Sequence, residues 1–298
     1  GGVYYATASG NIFEVANSGS AGNYICFFAY PPDYESGNYP IWDFGRLNAD
    51  TYTYPIRARL KSYIHWKGLE IRNLTNRNVF TYVVAAYLED SHHLIMENMR
   101  VNYISGPAIL SVGCTETYLK NCDVWEICDT LNPNPGQNGS GIGVNTRRDQ
   151  WGDDMYDAKV YVEGCRAWAC SDQGFANAGV GYHEWKNCWS FSNGRLEGDG
   201  MGVKLSISNV STTVNPLSRV FKNCIFAVNA GTGWDVNNCG GTVMNGHYYN
   251  NFIYHNGWKP WVSYYENYYI GTGIWICGYA NSEPRPAPNE MYLNNISY

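Results

Sequence analysis

Residues 160–206 read VYVEGCRAWACSDQGFANAGVGYHEWKNCWSFSNGRLEGDGMGVKLS, and this stretch decides the fold. It contains one unit twice, first as VYVEGCRAWACSDQG and then as HEWKNCWSFSNGR. In each copy, alternating large apolar and polar residues lead into Gly-Cys or Asn-Cys, an aromatic residue and a polar turn. The pattern predicts a strand, a tight corner and a second strand. The two corners, Gly164 and Asn187, lie 23 residues apart.

The same unit recurs along the whole chain. Its corners are expected at Gly68, Asn98, Asn121, Gly164, Asn187, Asn223, Asn251 and about Asn295. Asparagine suits such a corner because it tolerates the left-handed conformation and can hydrogen-bond to its copies in neighbouring coils. No segment has a helical apolar period longer than two turns. Units that repeat in one sense favour a parallel β-helix over a sandwich of hairpins. We therefore predict an all-β, single-domain solenoid over residues 1–298. No end cap is evident, and we expect it to be part of a longer chain.

Composition excludes two classes of partner. Charged residues make up 15% of the chain and the net charge is only -6, so the basic footprint of a nucleic-acid-binding protein is absent. No run of 18 consecutive apolar residues occurs, so no membrane-spanning helix is predicted.

Four of the ten cysteines follow a corner residue: Cys122, Cys165, Cys188 and Cys224. Equivalent positions of a solenoid stack about 4.8 Å apart, a spacing that suits either buried thiols or disulfides. We favour buried thiols for this column. A disulfide is more readily expected among the cysteines outside it: Cys114, Cys128, Cys170, Cys239 and Cys277. No CxxC pair is present, which argues against a zinc site.

Three segments are predicted as loop insertions around the central coils. The largest, residues 127–157, contains Arg147 and Arg148; the others are residues 193–200 and 206–218. Solenoids place function on such insertions, so we expect them to build a groove on one side of the coil. The six histidines do not have metal-ligand spacing and are interpreted as structural or surface residues.

Several motifs resemble the right-handed β-helix polysaccharide lyases. SGSAGNYICFFAYPPDYESGNYPIWDF (residues 18–44) is similar to their N-terminal stretch, and HWKGLEIRN (residues 65–73) to their first full coil. GCRAWACSDQGFANAG, followed by NCWSFSNGRLEGDGMGVKLS, is most similar to family 9, the pectate lyase group. There the pattern runs GCRA-x-NSDDGWD, ENCWAFNNG and GNGFKLG.

This resemblance implies a lysine base beside a calcium site of acidic residues. Calcium binds the uronate carboxylate and acidifies the neighbouring proton, which the lysine removes in a β-elimination. The family's lysine falls on Lys204 and its first calcium-binding aspartate on Asp172. The other three acidic positions are occupied by Ser140, Gln173 and Ala176. Because Ca²⁺ takes six to eight oxygen ligands, the resemblance implies calcium but the substitutions weaken the expected site.

Two sets of residues in the largest insertion offer replacements. Asp153 and Asp157 are candidates to share a cation with Asp172 if the loop folds over the groove, although a solvated acidic loop is the simpler interpretation. Arg147 and Arg148 are candidates to bind a substrate carboxylate directly, with exposed surface arginines as the alternative. Asp199, in Gly-Asp-Gly, is interpreted as a turn residue.

We therefore carry two functional hypotheses from the sequence. In the first, this is a secreted, extracellular protein similar to pectate lyases that binds or cleaves an acidic, uronate-containing polysaccharide by β-elimination. In the second, it is a non-catalytic extracellular β-helix with a structural, adhesive or filament-forming role, assembling with copies of itself. The substituted acids and the Tyr- and Trp-rich C-terminal part favour the second hypothesis.

Overall fold

The fold is built almost entirely from short strands. The computed structural model describes residues 1–78, 82–131, 133–146, 157–196, 198–206, 219–237, 246–258, 273–277, 279–280, 283–284 and 291–297. Its one helix in this part is α1, Pro31–Glu35. The strands are β1 Val3–Tyr5, β2 Asn11–Glu14, β3 Ile25–Phe28, β4 Ile41–Asp43, β5 Asn48–Ala49, β6 Tyr54–Arg59, β7 Ser62–Lys67, β8 Glu70–Asn76, β9 Ala86–Glu89, β10 His92–Glu97, β11 Arg100–Ile104, β12 Ile109–Val112, β13 Thr117–Lys120, β14 Asp123–Ile127, β15 Ile142–Thr146, β16 Lys159–Glu163, β17 Arg166–Trp168, β18 Gln173–Gly179, β19 Tyr182–Lys186, β20 Trp189–Phe191, β21 Met201–Ser206, β22 Arg219–Lys222, β23 Ile225–Ala227, β24 Trp234–Asn237, β25 Gly246–Tyr249, β26 Phe252–Tyr254, β27 Ile274–Cys277, β28 Tyr279–Ala280, β29 Glu283–Pro284, β30 Met291–Leu293 and β31 Ile296–Ser297.

Three parallel sheets run along the molecule, and each coil contributes one strand to each sheet. Sheet 1 has the order β2-β6-β9-β12-β15-β18-β21-β24-β27, and sheet 2 the order β3-β7-β10-β13-β16-β19-β22-β25-β30. Sheet 3 has the order β1-β4-β8-β11-β14-β17-β20-β23-β26-β31, with β5 also pairing with β8. The sequence prediction of a parallel β-helix is confirmed.

The predicted corners are confirmed for the first six positions. Gly68, Asn98, Asn121, Gly164, Asn187 and Asn223 all have positive φ. The last two are wrong by one residue, because the left-handed residues are Asn250 (φ 52°) and Asn294 (φ 52°). In each pair of asparagines the first makes the corner and the second turns inward. The expected ladder also forms: the Asn250 amide donates to Asn223 Oδ1 (3.4 Å), and Asn223 donates to Asn187 Oδ1 (3.3 Å).

The cysteine column lies inside the coil, directly after these corners. Cys122, Cys165, Cys188 and Cys224 are buried free thiols, as favoured from the sequence. Asn251 and Asn295 continue the same column: the Cys224 main-chain N–H donates to Asn251 Oδ1 (2.9 Å), and that of Asn251 donates to Asn295 Oδ1 (2.9 Å). The bridge expected among the other cysteines is not formed by Cys114, Cys128 or Cys170, which are free thiols too. Cys239 and the side chain of Cys277 lie outside the described part.

The predicted insertion at residues 127–157 is partly wrong. Residues 142–146 form β15, a regular strand of sheet 1 paired with β12 and β18. The spacing of 43 residues between the corners Asn121 and Gly164 therefore includes a regular strand of sheet 1 and is not one continuous insertion. In the described part of the chain, no helix is long and apolar enough to cross a membrane.

Candidate functional site

Lys204 lies on the outer face of sheet 1. Its neighbours Val203 and Leu205 are fully buried in the coil, so the alternation of a strand turns Lys204 outward. On the two preceding coils the equivalent positions are Ala176 and Gly143, and on the next coil the position is Asp235. Because Gly143 and Ala176 have almost no side chain, they leave open space beside the lysine, and 31% of the Lys204 side chain is exposed.

Asp199 makes the direct contact with the lysine. Lys204 Nζ donates to Asp199 Oδ2 at 3.0 Å, and Gln137 Nε2 donates to Asp199 Oδ1 at 3.2 Å. Asp199 is 7% exposed. The interpretation of Asp199 as a simple turn residue was therefore too weak: it both sits in a turn and forms an ion pair with Lys204.

A turn that requires glycine at position 200 holds Asp199 in place. Gly200 has φ +66°, and a Cβ built on it would lie 2.6 Å from the Cα of Gly194. A side chain is therefore unfavourable here both for the backbone conformation and for space. The Gly200 carbonyl accepts from the Gly231 N–H (2.9 Å), and the Met201 N–H donates to the Asp172 carbonyl (3.0 Å). These bonds tie the turn to the coils on either side.

Asp172 occupies the corner directly before β18. Ser140 Oγ donates to its Oδ2 at 3.5 Å, and Gln173 Nε2 donates to Ser140 Oγ at 2.6 Å. Asp172 Oδ1 and Gln173 Oε1 are both buried, and no described residue gives either oxygen a hydrogen bond. The corner thus brings together three residues that the resemblance aligned with calcium-binding positions.

The charges around Lys204 are unbalanced, with three carboxylates near one ammonium. Burial alone would lower the pKa of Lys204, but Asp199, Asp172 and Asp235 outweigh it and raise the pKa above its usual value. Burial raises the pKa of Asp172 to about 7; the Asp199 charge adds to this and Lys204 opposes it. The pKa of Asp235 is also raised to about 7, by burial first, with Lys204 opposing and Asp199 adding. At neutral pH Lys204 is therefore charged.

The described residues do not provide the oxygen ligands of the calcium site that the resemblance implies. Asp172 is the one carboxylate left at the corner, and Asp199 is already engaged by Lys204 and Gln137. In the described part of the chain, no three His, Cys, Asp or Glu side chains come together as a metal site. Since Ca²⁺ needs six to eight oxygen ligands, these residues do not make a calcium site by themselves. The calcium prediction itself stays untested.

Of the insertion residues predicted as ligands, the structure describes Asp157, and Asp157 does not join this cluster. Arg147, Arg148 and Asp153 lie outside the described residues. Asp157 is exposed and directly precedes the turn into β16. That position follows the C-terminal end of a sheet 1 strand, whereas Asp172 precedes the N-terminal end of the next one, so the two lie at opposite edges of the sheet.

Sequence reasoning missed Asp235 and Gln137. A signal for Asp235 was present, because GMGVKLS (residues 200–206) and GTGWDVN (residues 231–237) are two copies of one pattern. Alignment of the copies places Asp235 on Lys204, the pairing found in the structure. Gln137 had no such signal, since its loop has no counterpart in neighbouring coils.

The chain matches, over residues 1–268, the family described as "Pel9A-like, right handed beta helix region". It belongs to this family. The right-handed sense of the coil and the resemblance inferred from the motifs are thereby confirmed. No curated protein sequence matches the chain significantly.

Two solved structures show the same fold. A rhamnogalacturonan lyase has a TM-score of 0.64 at 18% identity, with 84% of this chain and 64% of that chain covered. The chain thus corresponds to less than two thirds of that lyase's length. An alginate lyase from Paenibacillus sp. str. FPU-7 has a TM-score of 0.52 at 12% identity, with 85% of this chain and 80% of that chain covered. At these identities the likeness shows the β-helix fold alone.

Proposed function

We propose that this β-helix is the catalytic region of a secreted polysaccharide lyase that cleaves a uronate-containing chain by β-elimination, with Lys204 as the base. The observation that carries the proposal is the place of Lys204: it projects from the outer face of sheet 1 on the central coils. The motif resemblance aligns this residue with the base of pectate lyases. Family membership supports the fold and the reaction class. The names of the two structural neighbours, both lyases of polysaccharides, support a polysaccharide substrate.

The reaction needs a group that can take a proton from carbon. A lysine does this only as the free amine, and the raised pKa of Lys204 keeps most of the protein in the ammonium form at neutral pH. Asp199 holds the ammonium in one orientation through its 3.0 Å contact. Binding of substrate against this pair would displace water from it, and the small side chains at Gly143 and Ala176 leave room for a sugar beside the amine.

An acidic substrate also needs positive charge in the cleft. Near the site the described cation is Lys204 itself, and the carboxylate of Asp199, which holds Lys204, repels a uronate. Arg147 and Arg148, which follow β15 in the sequence, are proposed to bind the substrate carboxylate; guanidinium groups do this in a bidentate manner. Calcium bound by Asp172 together with Asp153 is the other proposed source of positive charge, and the rest of its oxygen ligands would have to come from outside the described residues.

A second candidate function is favoured by the same ion pair. A charged Lys204 held by Asp199 is a stable arrangement that needs no reaction, as expected for a non-catalytic descendant that binds a polysaccharide or assembles extracellularly. This alternative predicts filaments or oligomers in dilute buffer and no unsaturated products.

The deciding experiment measures absorbance near 235 nm, where the unsaturated products of β-elimination absorb. The wild-type protein is incubated with polygalacturonate, pectin and alginate from neutral to alkaline pH, each with calcium and with chelator. We expect product from at least one polymer and none from Lys204→Ala. Lys186→Ala is the matched control, because Lys186 pairs with Glu163 on sheet 2, away from the site. Product formation that survives in Lys204→Ala would refute the assignment, and its absence from wild type throughout would favour the second candidate.

A further inference from the structure

Asp235 extends the candidate site by one coil. It lies in β24, which pairs in parallel with β21 so that Asp235 stands beside Lys204 in register. Trp234 and Val236 on either side are buried in the core, and Asp235 is therefore turned to the same outer face as the lysine. Neighbouring strands lie about 4.8 Å apart, so the side chains of Lys204 and Asp235 lie next to each other on the outer face of sheet 1.

The environment of Asp235 differs from that of the other two acids. It is 4% exposed. The charged groups acting on it are Lys204 and Asp199. Asp199 is engaged on both oxygens, and Asp172 accepts from Ser140. Among these three acids Asp235 is the one that shares the outward column of Lys204. Burial raises its pKa to about 7, so that a substantial fraction of the molecules carry this proton at neutral pH.

Elimination breaks two bonds, and Lys204 serves only one of them. The free amine takes the proton from C5, and the electrons of that C–H bond form the double bond between C4 and C5. The C4–O4 bond then breaks with its electron pair on oxygen. An alkoxide is a poor leaving group in water, so a positioned acid that protonates O4 assists the step, typically by about 10²- to 10⁴-fold.

We propose that Asp235 is the general acid that donates its carboxyl proton to O4 of the departing sugar, and that the pair therefore selects uronates in which O4 and the C5 proton lie on the same face of the ring. The step ends with an ammonium on Lys204 and a carboxylate on Asp235. Exchange of one proton between them through solvent restores the starting state. This inference rests on the proposed lyase function.

The selection follows from the geometry of one sheet face. An acid and a base that rise side by side from it meet the same face of a sugar lying on the sheet. In the manno and gluco configurations the C5 proton and O4 are on one face of the ring, whereas in the galacto configuration they are on opposite faces. The pair is therefore suited to D-mannuronate or D-glucuronate units and not to D-galacturonate.

The test compares Asp235→Asn with wild type on two kinds of substrate. The first kind is a natural chain, with polymannuronate and a glucuronate polymer set against polygalacturonate. The second is a 4-deoxy-4-fluoro-mannuronate glycoside, from which fluoride leaves without needing a proton. On polymannuronate we expect a loss of about 10²- to 10⁴-fold in Asp235→Asn. Fluoride release, read with an ion electrode, should stay within about threefold of wild type, while Lys204→Ala loses both activities.

Two further readouts separate a chemical role from a structural one. The limb of the pH–rate profile near pH 7, expected from Asp235, should disappear in Asp235→Asn and remain in Asp172→Asn. Asp235→Glu should recover part of the activity, which also guards against a variant that fails to fold. Equal losses on the natural and the fluorinated substrate would overturn the inference. A wild-type protein that cleaves only polygalacturonate overturns this inference but leaves the lyase function standing; one that cleaves none of the substrates overturns both.

Discussion

Replacing Asp199 by asparagine tests the electrostatics of the site most directly. Asp199 Oδ2 lies 3.0 Å from Lys204 Nζ, and it is the largest of the influences that raise the pKa of the lysine. Asparagine keeps the size and one oxygen acceptor but removes the negative charge. The pKa of Lys204 should therefore fall, because burial, which lowers it, is then less opposed.

The magnitude can be bounded from the geometry. Two unit charges at this distance interact by about 5 kcal/mol at an effective dielectric constant of about 20. The 31% exposure of the Lys204 side chain reduces this through solvent screening. Contacts of this kind shift a pKa by about 1–3 units, or about 1.4–4 kcal/mol. At a fixed pH below the pKa, the fraction of free amine should rise about ten- to a thousandfold.

The assay is an NMR titration of ¹³C-methylated lysines, in which Lys204→Ala identifies the Lys204 signal. The limb of the pH–rate profile that Lys204 controls should move to lower pH by the same number of units as the signal. Glu163→Gln is the matched control, since it removes the acid from the Lys186 pair on sheet 2 and should leave Lys204 unchanged. An Asp199→Asn protein whose Lys204 titrates at or above the wild-type pH would refute the reasoning.

Three further predictions concern stability. The pKa of Asp235 is about 7 in the folded protein against 3.8 as its usual value, so the folded state binds the extra proton between these limits and stability falls as the pH rises through them. The free energy of unfolding of Asp235→Asn, relative to that of wild type, should consequently increase from pH 4 to pH 8, by at most about 4 kcal/mol. Denaturant unfolding at the two pH values checks this, with the exposed Asp50→Asn as control; an equal effect of Asp235→Asn at both pH values contradicts it. Asn229 is fully buried, accepts a hydrogen bond from the Asn193 amide (2.8 Å) and donates one to Asn256 Oδ1 (2.8 Å). Asn229→Ala should therefore lower the free energy of unfolding by at least about 2 kcal/mol, because it leaves those groups unpaired, whereas the exposed Asn38→Ala should lower it little. Similar unfolding midpoints for the two variants would contradict a stabilising role of this asparagine ladder. Gly200→Ala should lower the melting temperature and weaken the Lys204–Asp199 contact, because φ of residue 200 is +66° and an added Cβ would lie 2.6 Å from the Gly194 Cα. A melting temperature equal to that of wild type would show that the turn accepts the alanine without strain.

The repeat made most of the fold predictable. Each corner can be recognised locally, because the left-handed conformation favours Gly or Asn there. Six of the eight corners are also followed by Cys or Asn. Where two asparagines are adjacent, as at Asn250 and Asn251, either fits the corner, and the choice depends on the register of the coil below. The strand β15 was not predicted for a related reason. Residues 142–146 form a short segment without a clear alternation of large apolar and polar residues, and the pairing with β12 and β18 is what identifies it as a strand.

By itself the sequence determined that the chain coils, where most of its corners fall and that Lys204 projects from a strand, because these depend on residues close together in the chain. Only the tertiary structure decided what surrounds the lysine. Asp172 and Asp235 lie 32 and 31 residues away along the chain, yet parallel stacking places them on adjacent coils. Asp199 is near in sequence, but its contact depends on a turn held by Gly231 of the next coil. The charges around Lys204 come from residues on several stacked coils, so the sequence pattern of a single coil cannot predict them.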